Sequence, residues 1–70
     1  MSTQELKTTL SGMLDDLKEV SEELFYLYDS KYLRINGLFK RRLMTASEYH
    51  NQLAGLALHI ASDYVKVVRG

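Results

Sequence analysis

Tyr32-Leu33-Arg34-Ile35-Asn36-Gly37-Leu38-Phe39-Lys40-Arg41 is the stretch that decides the fold. Asn36-Gly37 is a strong two-residue hairpin signal when strands flank it. Residues 32–35 and 38–41 are candidate strands. A helix competes for the same residues. Tyr32, Ile35, Phe39 and Leu43 fall at steps of three and four, which places them on one face of a helix. They continue a stripe that passes through Leu24 and Tyr28. An isolated two-stranded hairpin is marginal in water, and the chain has no proline to stop a helix. A helix is therefore expected over about residues 31–42. It is either continuous with the preceding segment or kinked near Asp29-Ser30 or Gly37.

Upstream, Ser2 and Thr3 are able to cap a helix. Leu6, Leu10, Leu14, Leu17, Leu24 and Tyr28 then form one apolar stripe, flanked by Met13, Val20 and Leu27. Asp15, Asp16, Glu19, Glu22 and Glu23 occupy the other faces. This pattern predicts a helix over about residues 3–29. Leu24-Phe25-Tyr26-Leu27-Tyr28 is unusual within it: five apolar or aromatic residues in a row cover the whole helix circumference. One partner helix cannot cover every side, so a second helix or another subunit is expected there.

Downstream, Thr45-Ala46-Ser47-Glu48 matches a capping box, with Met44 and Tyr49 placed for a hydrophobic staple. Tyr49, Leu53, Leu56, Ile60, Tyr64 and Val67 form the next stripe, and a helix is expected over about residues 46–68. The small residues Ala54, Gly55, Ala57 and Ala61 allow a neighbouring helix close approach. The fold class is thus all-α, a helical hairpin or small three-helix bundle in one domain over residues 1–70, completed by oligomerisation. At 1.5 Å per residue an unbroken helix over residues 3–43 would reach about 60 Å, against about 35 Å for residues 46–68. Either the longer segment folds back or a second subunit covers its excess.

A 70-residue chain has a marginal core of its own. With no cysteine, it has neither disulfides nor thiolate zinc ligands to support it. Helix packing and self-association remain as supports. No secretion signal is visible at the start, and no run is long and apolar enough for a membrane span. The longest stretch without a formal charge runs from Tyr49 to Ser62 and still holds His50, Asn51, Gln52 and His59. These features point to the cytoplasm. Net charge is zero, yet residues 1–30 carry seven acids and two bases, for −5, and residues 31–70 carry seven bases and two acids, for +5. The two halves can attract each other within one molecule, with Lys66 and Arg69 near Glu19, Glu22 and Glu23, or between two copies.

Catalytic and metal signals are weak. His50 and His59 are nine residues apart on one helix and point to opposite sides, so they do not chelate one ion. Asp15-Asp16 and Glu22-Glu23 diverge by about 100° within each pair and form no dyad. Asp15 with Glu19, and Glu19 with Glu23, share a face that reads as solvated. No glycine-rich phosphate loop or nucleophile motif occurs. No enzyme activity, cofactor, metal or small-molecule substrate is expected. Gln52-Leu53-Ala54 followed by Leu56-Ala57 resembles the phrase that opens many helix-turn-helix DNA readers. In that family a glycine makes the turn; here Leu58 stands at its place, a side chain ill-suited to a left-handed backbone. The phrase therefore assigns no family.

The functional expectation is a protein-binding regulator or inhibitor that self-associates and engages a larger protein. Its expected interface comprises Leu24, Phe25, Tyr26, Leu27, Tyr28 and Tyr32, with the acidic face Asp15, Glu19, Glu22 and Glu23, which can also mimic nucleic acid. The alternative is nucleic-acid binding through Lys31, Arg34, Lys40, Arg41 and Arg42. A structural assembly subunit is a third possibility.

Overall fold

In the computed structural model, which describes all 70 residues, the helix expected over residues 3–29 breaks at a single residue, Ser21. Helix α1 spans Thr3–Val20 and helix α2 spans Glu22–Lys40. Ser21 is extended, with φ −161° and ψ 101°. It nevertheless completes both helices. Its N–H donates to the Leu17 carbonyl at 2.8 Å, and its own carbonyl accepts the Phe25 N–H at 3.0 Å. Its hydroxyl accepts the Leu24 N–H at 3.3 Å. The local chemistry favours a break here. Val20 is β-branched, serine is a strong N-cap, Glu22 and Glu23 suit the positive end of α2, and Lys18 suits the negative end of α1.

Of the two alternatives for residues 31–42, continuity with the preceding residues holds and the kink near Asp29-Ser30 or Gly37 is absent, because α2 runs unbroken through both. Asn36-Gly37 makes no hairpin turn, and Gly37 does not use the positive φ that such a turn needs. The helical stripe prevails over the local turn signal because its apolar residues reach a core. Helix α2 ends in a Schellman arrangement. The Leu43 N–H donates to the Leu38 carbonyl at 2.9 Å and the Arg42 N–H to the Phe39 carbonyl at 3.0 Å. Arg42 takes the left-handed position, with φ 60°.

The third helix, α3, spans Ala46–Arg69. Its capping box forms as the sequence predicts. The Glu48 N–H donates to the Thr45 hydroxyl at 3.1 Å, and the Thr45 N–H to the Glu48 carboxylate at 3.1 Å. Met44 and Tyr49 both reach the core.

The long segment folds back on itself, so the three helices, at about 27, 29 and 36 Å, come much closer in length than about 60 Å against about 35 Å. Three cross-helix pairs fix their directions. Thr3 and His50 share a 3.0 Å hydrogen bond, Tyr28 donates to Asp63, and Tyr49 donates to Asn36. Helices α1 and α3 therefore run parallel, α2 runs antiparallel between them, and each helix packs on both others. The bundle measures 39 × 22 × 15 Å.

Its core is Leu6, Leu10, Leu14 and Leu17 from α1, Tyr28 from α2, and Tyr49, Leu53, Leu56 and Ile60 from α3. Helix α2 adds a half-buried layer of Leu24, Phe25, Tyr32 and Ile35. Both buried tyrosines solve the problem of an interior hydroxyl by hydrogen bonding, and no buried side-chain polar atom lacks a partner. The Phe39 ring stacks on Tyr49, with centroids 4.1 Å apart.

Candidate functional site

The aromatic cluster expected as an interface is divided by the fold. Tyr28 is a core residue. Its hydroxyl donates to the Asp63 carboxylate, and its pKa is pushed up to about 12, first by that hydrogen bond, then by burial and the carboxylate charge. Leu24, Phe25 and Tyr32 are half-buried against the core. Only Tyr26, 60% exposed, and Leu27, 49% exposed, open to solvent. They diverge by about 100° around α2, so they are two flanks and no single patch.

The acidic row is divided too. Asp15 and Glu19 share a face of α1, but the break at Ser21 puts Glu22 and Glu23 on the first turn of α2. All four are exposed. The expected attraction of the halves yields no ion pair between helices. Lys66 and Arg69 lie at the same end of the bundle as Glu19, Glu22 and Glu23. The one salt bridge is Lys66 to Asp63 within α3, at 3.9 Å. An exposed pair of this kind stabilises little.

The basic residues also separate. Lys31 and Arg34 face α3, where they edge an open groove of about 570 Å³. Lys40 is nine residues from Lys31, half a turn around the helix, on the opposite side. Arg41 and Arg42 follow the end of α2. The groove itself was not expected from the sequence. Its floor is Ile35 and Leu38 of α2 with Leu56 of α3, and its far rim carries Asn51, Gln52 and His59. Gly55 leaves it open, since a Cβ there would meet nothing within 4 Å. The available signal was the repeat Lys31, Arg34, Ile35 and Leu38, a half-apolar, half-basic helix face beside the core stripe.

A second unexpected surface lies on α3. Leu58 is 72% exposed, Val65 45% and Val68 58%. With Ala54 and Ala61 they recur at steps of 4, 3, 4 and 3 along the helix, the spacing of a coiled-coil seam. The stripe adjoins a hollow of about 180 Å³ between α1 and α3, lined by Met13, Asp16, Ile60, Ala61, Tyr64 and Val65. The charge-free run from Tyr49 to Ser62 carries most of this face. The small residues of this face were expected to allow a neighbouring helix close approach. Ala54 and Ala57 do pack on the core, whereas Ala61 is exposed.

No group of three or more histidines and carboxylates is gathered as a metal site. No helix is long and apolar enough to cross a membrane. The fold and these surfaces define a small up-down-up three-helix bundle with two exposed grooves. Comparison with protein-family models, with curated proteins and with solved structures finds no match to the chain.

Proposed function

We propose that this chain is a small non-catalytic binding protein, a regulator or inhibitor that acts as a homodimer and engages a larger protein through its remaining helix faces. The observation that carries it is the outer seam of α3. Leu58, Ala61, Val65 and Val68 form a seam in solvent, continued by the half-buried Ala54, and a monomer gains nothing by keeping this seam apolar. The seam is self-complementary about Ala61. In an antiparallel pair of α3 helices, Ala54 meets Val68 of a second copy, Leu58 meets Val65, and Ala61 meets Ala61. Each copy's Leu58 then sits over the hollow beside Ala61 and Val65 of the other. The face lacks acidic and basic side chains from residue 49 to 62, so no like charges oppose across the twofold axis. Light scattering tests this. The wild type is expected at twice the 8.1 kDa chain mass and Leu58→Glu at the monomer mass with unchanged helix content. A monomeric wild type at high protein concentration removes the proposal.

Nucleic-acid binding through Lys31, Arg34, Lys40, Arg41 and Arg42 is the second reading. One observation favours it: none of the five is held in an ion pair. Such binding weakens steeply with salt. Titration with duplex DNA and RNA at low and moderate salt, on the wild type and on Arg41→Glu with Arg42→Glu, separates it from the first reading.

A further inference from the structure

We propose that the groove between α2 and α3 is a docking site for an acidic amphipathic helix of a partner protein. This rests on the reading of the chain as a protein-binding module, and it uses a surface distinct from the α3 seam. Charge complementarity is the first argument. Lys31 and Arg34 stand one helical turn apart on one rim, and no carboxylate lines the groove. Neither cation is engaged by an acid of the chain. The Lys31 ammonium rests 5.4 Å above the Tyr28 ring, which orients it without neutralising its charge. Asp63, one turn beyond His59, is already committed to the Tyr28 hydroxyl and to Lys66.

The second argument is the floor. Ile35, Leu38 and Leu56 form an apolar strip between the rims, open above Gly55. A helix laid in such a groove buries large aliphatic side chains at steps of three and four. Carboxylates one turn apart on its flank then meet Lys31 and Arg34. The opposite rim of Asn51 and Gln52 is neutral and able both to donate and to accept hydrogen bonds. Nucleic acid fits less well. The one ring on the groove is the His59 imidazole at its rim, which gives no row of platforms for successive bases to stack on, and the apolar floor offers phosphates nothing.

The test uses the full chain and three probes. The first is a synthetic helical peptide of about 15 residues built from leucine and glutamate, with leucines on one face. The second replaces glutamate by lysine. The third is mixed-sequence duplex DNA. Binding is read by fluorescence anisotropy and by amide shifts of the labelled protein. The leucine–glutamate peptide is expected to bind and to shift the amides of Arg34, Leu38, Asn51 and Gly55. Lys31→Glu with Arg34→Glu is expected to weaken it about tenfold or more. Gly55→Met, which places a side chain in the open groove, weakens it as well, and Lys40→Glu leaves it unchanged. Leu58→Glu abolishes the dimer mass yet keeps peptide binding, so loss of the dimer and loss of the groove are seen separately. The proposal is overturned if the glutamate peptide fails to bind at millimolar concentration. It is equally overturned if the lysine peptide binds as well, if the charge reversal has no effect, or if DNA displaces the peptide from those amides.

Discussion

Arg42 holds the one non-glycine left-handed backbone in the chain, with φ 60°. A Cβ in that conformation costs about 1 kcal/mol or more, and glycine is the usual residue at this point of a Schellman ending. Arg42→Gly is therefore expected to raise the unfolding free energy by about 0.5–1 kcal/mol, read from urea denaturation. A lower stability would show that the arginine side chain contributes more than its backbone costs. Tyr28 is the residue whose chemistry the fold changes most. Its folded-state pKa of about 12 lies above the ordinary 10.0, so the folded chain holds this proton more tightly than the unfolded chain. The linked stability is fully present below pH 10 and is lost as pH rises from about 10 toward about 12. Tyr28→Phe is expected to cost about 1 kcal/mol at neutral pH, the hydrogen bond to Asp63, and to flatten that alkaline decline. A variant with the same pH profile as the wild type would contradict this account of the Tyr28–Asp63 pair.

At the scale of the element, Ser21 decides the architecture. It ends α1 and begins α2 with no loop between them. Ser21→Ala keeps the backbone but removes the acceptor for the Leu24 N–H. A loss of about 1 kcal/mol is expected, the usual effect of deleting an N-cap hydroxyl. The same measurement on Thr45→Ala, which opens the capping box, gives the internal comparison. Ser21 also marks the limit of what was legible in the sequence. Thr45 and Glu48 announced a helix start because capping box and staple coincide there. Ser21-Glu22-Glu23-Leu24 carries the same chemistry in weaker form, a cap with acidic residues in the first turn. It was masked because Leu17, Leu24 and Tyr28 stay in register across it. Periodicity reports which residues share a face; it does not reveal a one-residue reversal between two helices that bury the same face. The Asn36-Gly37 signal erred in the other direction. A turn dipeptide specifies a hairpin only where flanking strands have a sheet to join, and here Tyr32, Ile35 and Tyr28 have a core to reach.

At the scale of the molecule, the sequence disclosed an all-helical chain and hid its surfaces. The stripe Leu6 to Leu17 and the stripe Tyr49 to Ile60 are the core the periodicity predicts. The expected interface at residues 24–28 is divided because the fold-back at Ser21 packs Leu24, Phe25 and Tyr28 on the core and leaves Tyr26 and Leu27 exposed. Excess apolar surface remains, but it lies elsewhere, on Leu58, Val65 and Val68. Which face of α3 is left over depends on which faces α1 and α2 cover, and that is a property of topology. The most direct measurement exploits the absence of cysteine. Ala61→Cys places a lone thiol at the centre of the proposed twofold axis, and Gly12→Cys places one on an open face of α1. Under mild oxidation Ala61→Cys is expected to cross-link rapidly into a disulfide dimer that retains native helix content, with Gly12→Cys slow. Equal, slow cross-linking at both positions would contradict self-association through α3.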